Sequence, residues 1–287
     1  MKPKNSRIKR LFLFAGYDKA GKIDNALLNY TKKLSQFGDI ILVMDSDCTK
    51  TELSKLKNIT LYATGARHGE YDFGSYKRAY IWATQNLDLT EYDYVYMVND
   101  SVYGPLYPLD SYFTRMESLP CDAFGLVANP HRHHPHIQSW FIGMTPTVFL
   151  SRWYDQFMHQ ITKLPHKGEI TRQYEQGFSK QITENNLSWC CLFNAPGRSV
   201  YNNVKKFYKI GMPFIKCVAF TRNHGALGRQ ISYILRNIDS DTRDAILSSA
   251  RATYGENHIK WLITRNPIKI IFRNINHAFH KLFIEGI

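Results

Sequence analysis

The sequence predicts an α/β fold with a mainly parallel central sheet, and three observations lead to this prediction. Continuous apolar runs such as "RLFLFAGY" (10–17) and "DIILVMDSD" (39–47) are typical of strands that are covered on both faces. Segments with helical spacing of apolar residues alternate with these runs, which favours parallel strands joined by helices. Polar residues gather where the strands end, and in such sheets ligands bind at that edge.

Each predicted strand is a short apolar run that stops at polar or turn-forming residues. In chain order the predicted strands are 10–17, 39–47, 59–65, 94–99, 121–128, 137–144, 188–194 and 215–220. The carboxyl ends of the first four are Gly16-Tyr17-Asp18, Asp45-Ser46-Asp47, Thr64-Gly65 and Asn99-Asp100-Ser101. We therefore expect a ligand site along one edge of the sheet, before any motif is considered.

Helices are predicted where apolar residues recur at helical spacing, as Leu27, Tyr30 and Leu34 do before the stop at Gly38. The predicted helices are 24–38, a short helix within 49–58 that begins at Thr51, 74–86, 108–117, 147–164 and 172–186. The remainder of the chain has mostly helical patterning. These features predict a sheet domain at 1–229 and a helical C-terminal segment at 230–287.

Composition limits the classes of protein that this chain can be. Its 287 residues are 44% hydrophobic, which is ample for a globular core. The formal net charge of +13 favours a polyanionic partner: nucleic acid, an anionic membrane surface or a phosphorylated substrate. The five cysteines are odd in number and form no CxxC pair, which argues against a disulfide framework or zinc site and for a reducing cytoplasm. No stretch approaches the roughly 18 apolar residues of a membrane span.

Asn99-Asp100-Ser101 is the first candidate motif, because a buried strand delivers a carboxylate between an amide and a hydroxyl. Such a carboxylate can ligate a divalent cation or accept a hydrogen bond from a ribose hydroxyl. The alternative is a loop cap, since Asp, Asn and Ser favour turns by bonding to nearby backbone.

The second motif is "HGEYDFGSYKRA", residues 68–79, which precedes the strand that carries Asp100. Two glycines precede or open a predicted helix that has Ser75 near its start, and backbone N–H groups there favour anions. Lys77 and Arg78 add positive charge, so a diphosphate would fit. The alternative is an ordinary capped helix with a solvated basic face.

A histidine-rich loop, "NPHRHHPHIQSWFIGM", is the third motif. Its histidines match no metal-binding spacing, and no carboxylate or cysteine lies near them in the sequence, so polar contact with a substrate or a solvated loop is favoured over a metal site. The last of them is His136. Gln138 and Trp140 lead into the next strand and are predicted to line a pocket wall.

Two further segments carry candidate chemistry. In "RQYEQGFSKQI", Glu175 lies near the start of the predicted helix 172–186 and can act as a general base toward an acceptor hydroxyl. Favourable placement in the helix dipole explains it equally simply, and spacing alone favours that explanation. In "FTRNHGALGR", Arg222, His224 and Arg229 can meet phosphate, or the segment is a glycine turn.

The C-terminal stretch 266–283 has the pattern of an amphipathic basic helix. Its apolar positions are Ile268, Ile271, Phe272, Ile275, Phe279 and Leu282, while its basic residues lie elsewhere. Such a helix can lie on an anionic membrane or pack on the domain.

Five of these stretches, in the same order, resemble the rhamnan synthesis protein F family. They are "HGEYDFGSYKRA", "NDSVYGP", "HIQSWFIGM", "YEQGFSK" and "GMPFIK", and the resemblance covers roughly residues 10–225. It implies a nucleotide-sugar-dependent glycosyltransferase with a GT-A-like, Rossmann-type domain, often a rhamnosyltransferase that uses dTDP-L-rhamnose. Asn99-Asp100-Ser101 stands where GT-A enzymes carry an Asp-x-Asp motif for the nucleotide sugar and a divalent metal.

The resemblance also implies roles for individual residues. Tyr17 and Asp18 would lie beside the base and ribose, and Glu175 would be the general base of an inverting reaction. The residues that would wrap the nucleotide are Asp72, Gly74, Ser75 and Arg78. His224 matches the rough position of a late metal-binding histidine. Because both outer positions of the Asp-x-Asp place lack a carboxylate, the need for Mg²⁺ or Mn²⁺ is left open.

The partners implied are a dTDP- or UDP-linked sugar and a growing lipid-linked glycan of an O-antigen or lipopolysaccharide type. The expected location is the cytoplasm, with peripheral attachment to the inner face of the plasma membrane through the basic C-terminal helix. Two alternatives remain: a non-catalytic polysaccharide-assembly subunit, favoured by the weakened Asp-x-Asp place, and a nucleic-acid-binding protein. The second lacks a nucleic-acid motif, and its basic residues are spread along the chain.

Overall fold

A computed structural model describes residues 8–221, 225–272 and 275. The described residues divide into two compact units. The first holds 8–23, 31–100 and 109–197; the second holds 24–30, 101–108, 198–221, 225–272 and 275. The predicted boundary after residue 229 falls inside a helix of the second unit, and a boundary at that position stays a prediction.

The first unit is built around a mixed sheet. The strands among the described residues are β1 Arg10–Gly16, β2 Asp39–Met44, β3 Tyr62–Gly65, β4 Tyr94–Asn99, β5 Val102–Tyr103, β6 Ala123–Asn129, β7 His136–Ile137, β8 Phe141–Met144, β9 Trp189–Asn194 and β10 Ile215–Lys216. The main sheet has the order β3-β2-β1-β4-β8-β6-β7, and β9 pairs with β6. The strands β1 to β4 are mutually parallel, as are β6 and β9. The predicted mainly parallel α/β sheet is therefore confirmed.

One predicted strand, 137–144, is wrong in a way that explains the antiparallel part of the sheet. It is divided into β7 and β8 by residues 138–140, where the indole of Trp140 donates to the side chain of Gln138 at 2.9 Å. No helix lies between β6 and β8 to return the chain in the parallel direction. As a result β8 runs antiparallel to both β4 and β6.

Helices cover the sheet or form the second unit. They are α1 Asn25–Leu34, α2 Lys50–Ser54, α3 Tyr71–Asn86, α4 Asp110–Glu117, α5 Pro146–Phe149, α6 Arg152–Gln160, α7 Lys167–Ile170, α8 Gly177–Glu184, α9 Ser199–Asn202, α10 Val204–Lys209, α11 Gly225–Leu235, α12 Ser240–Tyr254 and α13 Glu256–Leu262. The predicted helix 147–164 is broken into α5 and α6, because Ser151 caps a new helix by accepting a hydrogen bond from the N–H of Tyr154. The predicted strand 215–220 is short, and a 3₁₀ turn follows it at Cys217–Thr221.

The centre of the sheet is buried on both faces. The β1 residues from Leu11 to Phe14 are 0% exposed, as expected of a strand covered on both sides. The hydroxyl of Tyr96 donates to Glu117 at 2.6 Å, and Glu117 forms a bidentate ion pair with Arg10. This charged pair is nearly buried, and its several hydrogen bonds offset the cost of desolvating it.

The second unit is mostly helical, which confirms a helical C-terminal region. Ile231, Ile234, Ile246 and Ile259 are at most 1% exposed and form the core between α11, α12 and α13. The predicted amphipathic helix 266–283 lies largely outside the described residues. Within those residues, no helix is long and apolar enough to cross a membrane.

A capping residue in the first unit gives a direct stability prediction. The Oγ1 of Thr49, and not the predicted Thr51, accepts the N–H of Glu52 at 3.2 Å and begins α2. Thr49→Ala should therefore lower the free energy of unfolding by about 1 kcal/mol, measured by urea denaturation. Thr51→Ala is the matched control and should change it by less than about 0.5 kcal/mol. Equal losses in both variants would contradict the assignment of the cap.

Candidate functional site

The carboxyl ends of β1 to β4 meet at one edge of the sheet, as the sequence predicted. Gly16 is paired beside Met44, Met44 beside Gly65, and Ala15 beside Asn99. The loops that follow these strands therefore start from a common edge. Most of the predicted nucleotide-binding residues lie in these loops or at the start of α3.

Asp100 is held at the end of β1 by a backbone donor. Its Oδ2 accepts the N–H of Tyr17 at 2.7 Å, and its own N–H donates to the carbonyl of Ala15 at 3.2 Å. A Cβ at Gly16 would overlap the sulfur of Met44 and would lie 3.5 Å from Oδ2 of Asp100. Glycine at position 16 therefore leaves room for the side chain of Met44 beside the end of β1.

Asn99 connects the end of β4 to the start of α3. Its side chain is 1% exposed, and its Nδ2 donates to Oδ2 of Asp72 at 2.9 Å. Asp72 lies in the first turn of α3, where a carboxylate is stabilised by the helix dipole. The structure thus brings together two residues, 27 positions apart in the chain, that the sequence assigned to the same site.

Tyr17 and Asp18 have different environments in the loop after β1. Asp18 Oδ1 accepts the N–H groups of Ala20 and Lys22 at 2.8 and 3.0 Å, so this carboxylate shapes the loop. Tyr17 is 50% exposed, and the guanidinium of Arg67 lies 5.4 Å from its ring centroid. The pair presents an aromatic face and a cation to solvent, a combination suited to a planar or anionic ligand group. Arg67 was missed in the sequence, where it is simply one more basic loop residue.

Two N–H groups at the start of segment 68–79 are bound by the protein itself. Oδ1 of Asp45, which is 7% exposed, accepts the N–H groups of His68 and Gly69 at 2.8 Å each. Burial by itself raises the pKa of Asp45, but the backbone donors outweigh burial and hold the pKa below its usual range. A buried carboxylate therefore occupies these two N–H groups, and the binding of a diphosphate at 68–79 stays a prediction.

Ser75 and Gly74 support this turn from α3. Ser75 is 0% exposed, and its hydroxyl lies 3.0 Å from Nε2 of His68. The other ring nitrogen of His68 accepts the N–H of Glu70 at 3.1 Å, so the neutral ring carries its proton on Nε2. A side chain at Gly74 would overlap Glu70, which explains the glycine. Burial, and then the charge of Arg78, hold the pKa of His68 below its usual value.

Arg78 and Lys77 were predicted to face the diphosphate, and both side chains have hydrogen-bond partners within the first unit. Arg78 forms a bidentate ion pair with Glu70, at 2.8 and 3.2 Å, and also donates to the carbonyl of Gly74 at 2.9 Å. Lys77 donates to the carbonyl of Ile161 at 2.8 Å. Both side chains therefore stabilise α3 and its neighbours in this conformation.

Glu175 lies inside a helical stretch and not near a helix start, so the predicted helix-dipole explanation is wrong. A π-helical segment, Thr171–Gln176, joins α7 to α8 without a break and contains Glu175. Its Oε1 accepts both the N–H and the hydroxyl of Ser139, at 2.7 and 2.9 Å. π-Helical segments often occur at functional sites. The carboxylate is thereby directed at the residues between β7 and β8.

The predicted pocket residues around Ser139 are buried. His136 is 4% exposed and bonds to the carbonyl of His134; Gln138 and Trp140 are 7% and 2% exposed and bond to each other. The hydroxyl of Tyr76 donates to the carbonyl of Ser139 at 2.9 Å. Residues 138–140, which connect β7 to β8, are therefore held firmly. Ser139, which was not identified from the sequence, is the half-buried residue among them.

Ser101 belongs to the second unit, where it contacts a residue that the sequence analysis also missed. The ammonium of Lys216 donates to its hydroxyl at 2.7 Å. Lys216 lies in "GMPFIK", a stretch that carried the family resemblance but had no assigned role. The motif therefore contained Lys216, but no spacing rule pointed to this residue.

The residues that the structure describes do not form a metal site by themselves. Asp100 is the one carboxylate in the Asn99-Asp100-Ser101 motif, and its Oδ2 already accepts the backbone N–H of Tyr17. Among the described residues, no group of three or more His, Cys, Asp or Glu side chains is arranged to hold a metal ion. His224, the other predicted ligand, lies outside the described residues, as does Arg222. In the histidine-rich loop, the rings of His131 and His134 stack on each other with their centroids 5.8 Å apart.

Three solved structures illustrate what the chain is similar to. A protein of Desulfovibrio desulfuricans G20 described as a nucleotide-diphospho-sugar transferase is 17% identical, over 84% of this chain and 98% of that one, with a TM-score of 0.39. A cytidylyltransferase of Leptospira borgpetersenii is 12% identical, over 67% and 76%, at 0.36. Core-mannan synthase A of Aspergillus fumigatus, in a form with Mn and GDP, is 12% identical, over 55% and 64%, at 0.29. At these TM-scores the likenesses add no argument to the family match.

The family comparison covers most of the chain. No curated protein matches it. Residues 40–281 match the family model described as rhamnan synthesis protein F, a range that includes α3, β4, the π-helical segment and β10. This range contains all five stretches on which the resemblance was based. The chain therefore belongs to the rhamnan synthesis protein F family.

Proposed function

We propose that this protein is a glycosyltransferase that moves a sugar from a nucleotide-sugar donor to a growing cell-surface polysaccharide. The observation that carries the proposal is the Asn99-Asp100 turn at the carboxyl end of a parallel strand. Its carboxylate is bonded to the loop after β1, and its amide is bonded to the start of α3. Ligands of doubly wound sheets bind at this edge.

The donor would contact this edge through a small set of groups. Tyr17, with Arg67 above its ring, is proposed to pack against the base. Asp100 and Asp72 are proposed to accept hydrogen bonds from the ribose and sugar hydroxyls. Asp18, Gly74, Ser75 and Arg78 are proposed to act indirectly, because their described contacts shape or brace the surrounding loops.

The proposed reaction is a direct displacement with inversion at the anomeric carbon. The acceptor oxygen forms a bond to that carbon, the bond from carbon to the phosphate oxygen breaks, and its electron pair leaves with the nucleoside diphosphate. Glu175 takes the proton of the acceptor hydroxyl. Ser139 holds Oε1 of this carboxylate, and among the described residues Oε2 has no hydrogen-bond partner, which suits it to receive a proton.

The family description supports a proposal for the donor and the acceptor. We propose rhamnose or another hexose, carried by dTDP or UDP, as the donor sugar, and a lipid-linked glycan of an O-antigen or lipopolysaccharide type as the acceptor. The net charge of +13 is suited to a diphosphate-bearing acceptor at an anionic membrane surface. His136, Gln138 and Trp140 are proposed to support the acceptor side from beneath Ser139.

A non-catalytic assembly subunit is the second candidate. One observation favours it: the carboxylates of Asp45 and Asp100 both accept backbone N–H groups, as they would in a site kept only for its fold.

A thermal-shift screen separates the two candidates. With dTDP, UDP, GDP or CMP at about 100 times Kd, a true donor nucleotide stabilises the folded protein by about 2.7 kcal/mol. We expect one nucleotide to raise Tm by about 5 °C. Repeating the screen with Mn²⁺ tests the metal. Asp100→Asn keeps an acceptor oxygen for Tyr17 and should still fold, but should lose the shift. If no nucleotide changes Tm, the glycosyltransferase proposal fails and the assembly subunit is favoured.

A further inference from the structure

The second unit contains a long stretch of the sequence in which all the charge is positive. Residues 198–238 include eight Lys and Arg residues and no Asp or Glu, although the whole chain has 24 acidic residues. The helices α10 and α11 both lie in this stretch. A segment with charge of one sign favours a partner of the opposite sign, so this part of the second unit is suited to a polyanion.

Two lysines and two arginines of this stretch lie around one aromatic ring, that of Tyr233. The ammonium groups of Lys205 and Lys209, on α10, lie 4.1 and 6.0 Å from the ring centroid. Arg229 lies four residues before Tyr233 and therefore on the same side of α11. Arg236 follows directly after α11, three residues beyond Tyr233. We call these five residues the basic face.

The positive charge of the basic face is not neutralised by carboxylates of the second unit. Among the described residues, none of its four cations forms an ion pair, and the ion pairs of the second unit join residues of α12 and α13 instead. Lys209, Arg229 and Arg236 are exposed, and Lys205 is half-buried. Because like charges held on one face repel each other, an anionic partner would be attracted to all four at once.

We propose that the basic face docks the protein on an anionic membrane surface, with its cations against the lipid headgroups. Ile210 follows Lys209 directly and is 54% exposed, and basic side chains beside an exposed apolar one suit the membrane interface. The ammonium of Lys205 already lies over the ring of Tyr233, so this ring is poorly placed to stack on a nucleic-acid base.

This docking surface goes beyond the proposed reaction and differs from the C-terminal stretch 266–283 that the sequence suggested. All of its residues belong to the second unit, so the inference does not depend on the donor site in the first unit. Its test therefore needs neither a nucleotide nor a sugar donor.

Co-sedimentation of the full chain with lipid vesicles tests the proposal. We expect binding to vesicles with about one-third phosphatidylglycerol in phosphatidylcholine, little binding to phosphatidylcholine alone, and a loss of binding in high salt. Lys205→Gln/Lys209→Gln should lower the partition coefficient about 30-fold, because each cation near an anionic surface contributes about fivefold. Lys32→Gln/Lys57→Gln is the matched control, at two exposed lysines of the first unit, and should change it less than about threefold.

Further variants keep the test decisive if the first double variant folds poorly, which its Tm would reveal. Arg229→Gln/Arg236→Gln should also lower binding about 30-fold, and Ile210→Ser about fivefold. Lys205→Arg/Lys209→Arg keeps the charge and should bind as wild type does.

Three results would overturn the proposal and leave the glycosyltransferase proposal intact. The first is a wild type with no preference for anionic vesicles. The second is an equal change in the basic-face variants and the lysine control. The third is a loss of binding to a short single-stranded DNA, but not to vesicles, in the basic-face variants, which would assign this surface to nucleic acid.

Discussion

Glu175→Gln is expected to lower kcat for sugar transfer by about 10²- to 10⁴-fold, the usual contribution of a general base. Glutamine has nearly the same shape, and its carbonyl oxygen can still accept the N–H and hydroxyl of Ser139. It cannot accept the proton of the acceptor hydroxyl. The loss should therefore appear in kcat, while Kd for the donor nucleotide changes less than about twofold.

The measurement is the initial rate of nucleoside diphosphate release, with the donor found by thermal shift and a lipid-linked glycan acceptor. Glu184→Gln is the matched control, since Glu184 ends the same helical stretch and is exposed, in contact with Lys180 and Gln181. It should retain the wild-type rate. If Glu175→Gln keeps the wild-type kcat, the carboxylate only holds the residues between β7 and β8 in place and takes no part in catalysis.

Asp45→Ala is expected to lower the free energy of unfolding by about 3 kcal/mol. The carboxylate accepts the backbone N–H groups of His68 and Gly69, and removing it leaves these donors without their partner in a largely buried turn. Urea denaturation measures the loss. Asp47→Ala is the matched control, because exposed Asp47 accepts one N–H, that of Arg67, and should cost less than about 1 kcal/mol. Equal losses would contradict the central role of Asp45.

The pH dependence of unfolding checks the same contacts. The pKa of Asp45 is lowered in the folded protein, so its stabilisation is present above the unfolded value of about 3.9 and is lost as pH falls through the lower, folded value. The pKa of His68 is also lowered. Below about pH 6.5 the unfolded chain therefore binds a proton that the folded protein resists, and stability falls further. We expect the wild type to lose stability steadily from pH 7 to pH 4, and Asp45→Ala to show a smaller loss near pH 4.

The carboxylates at the sheet edge show why a residue type does not by itself give a role. Asp45, Asp18 and Asp100 all follow buried strands, and the sequence placed all three at the edge where a ligand is expected. In the structure Asp18 accepts two N–H groups of its own loop, and Asp45 accepts two N–H groups of the turn before α3. Asp100 is half-buried and accepts the N–H of Tyr17, a residue of the loop after β1.

The sequence by itself determined the α/β class, the four parallel strands β1 to β4 and the edge at which their polar ends meet. These features depend on local patterns: continuous apolar runs and helical periodicity are written in neighbouring residues. The same information supported the family resemblance, because its motifs are short and contiguous. The antiparallel insertion of β8 could not be read in this way, since the apolar pattern of 137–144 is the same whether or not the chain bends within it.

Only the tertiary structure decided which partners the functional side chains have. The contacts of Glu175 with Ser139, of Asn99 with Asp72 and of Lys216 with Ser101 join residues 36, 27 and 115 positions apart. No local pattern encodes such pairs, because they arise from the packing of whole strands and helices. The proposed chemistry depends on the first two of these pairs, because they fix the direction of groups that would meet the substrate.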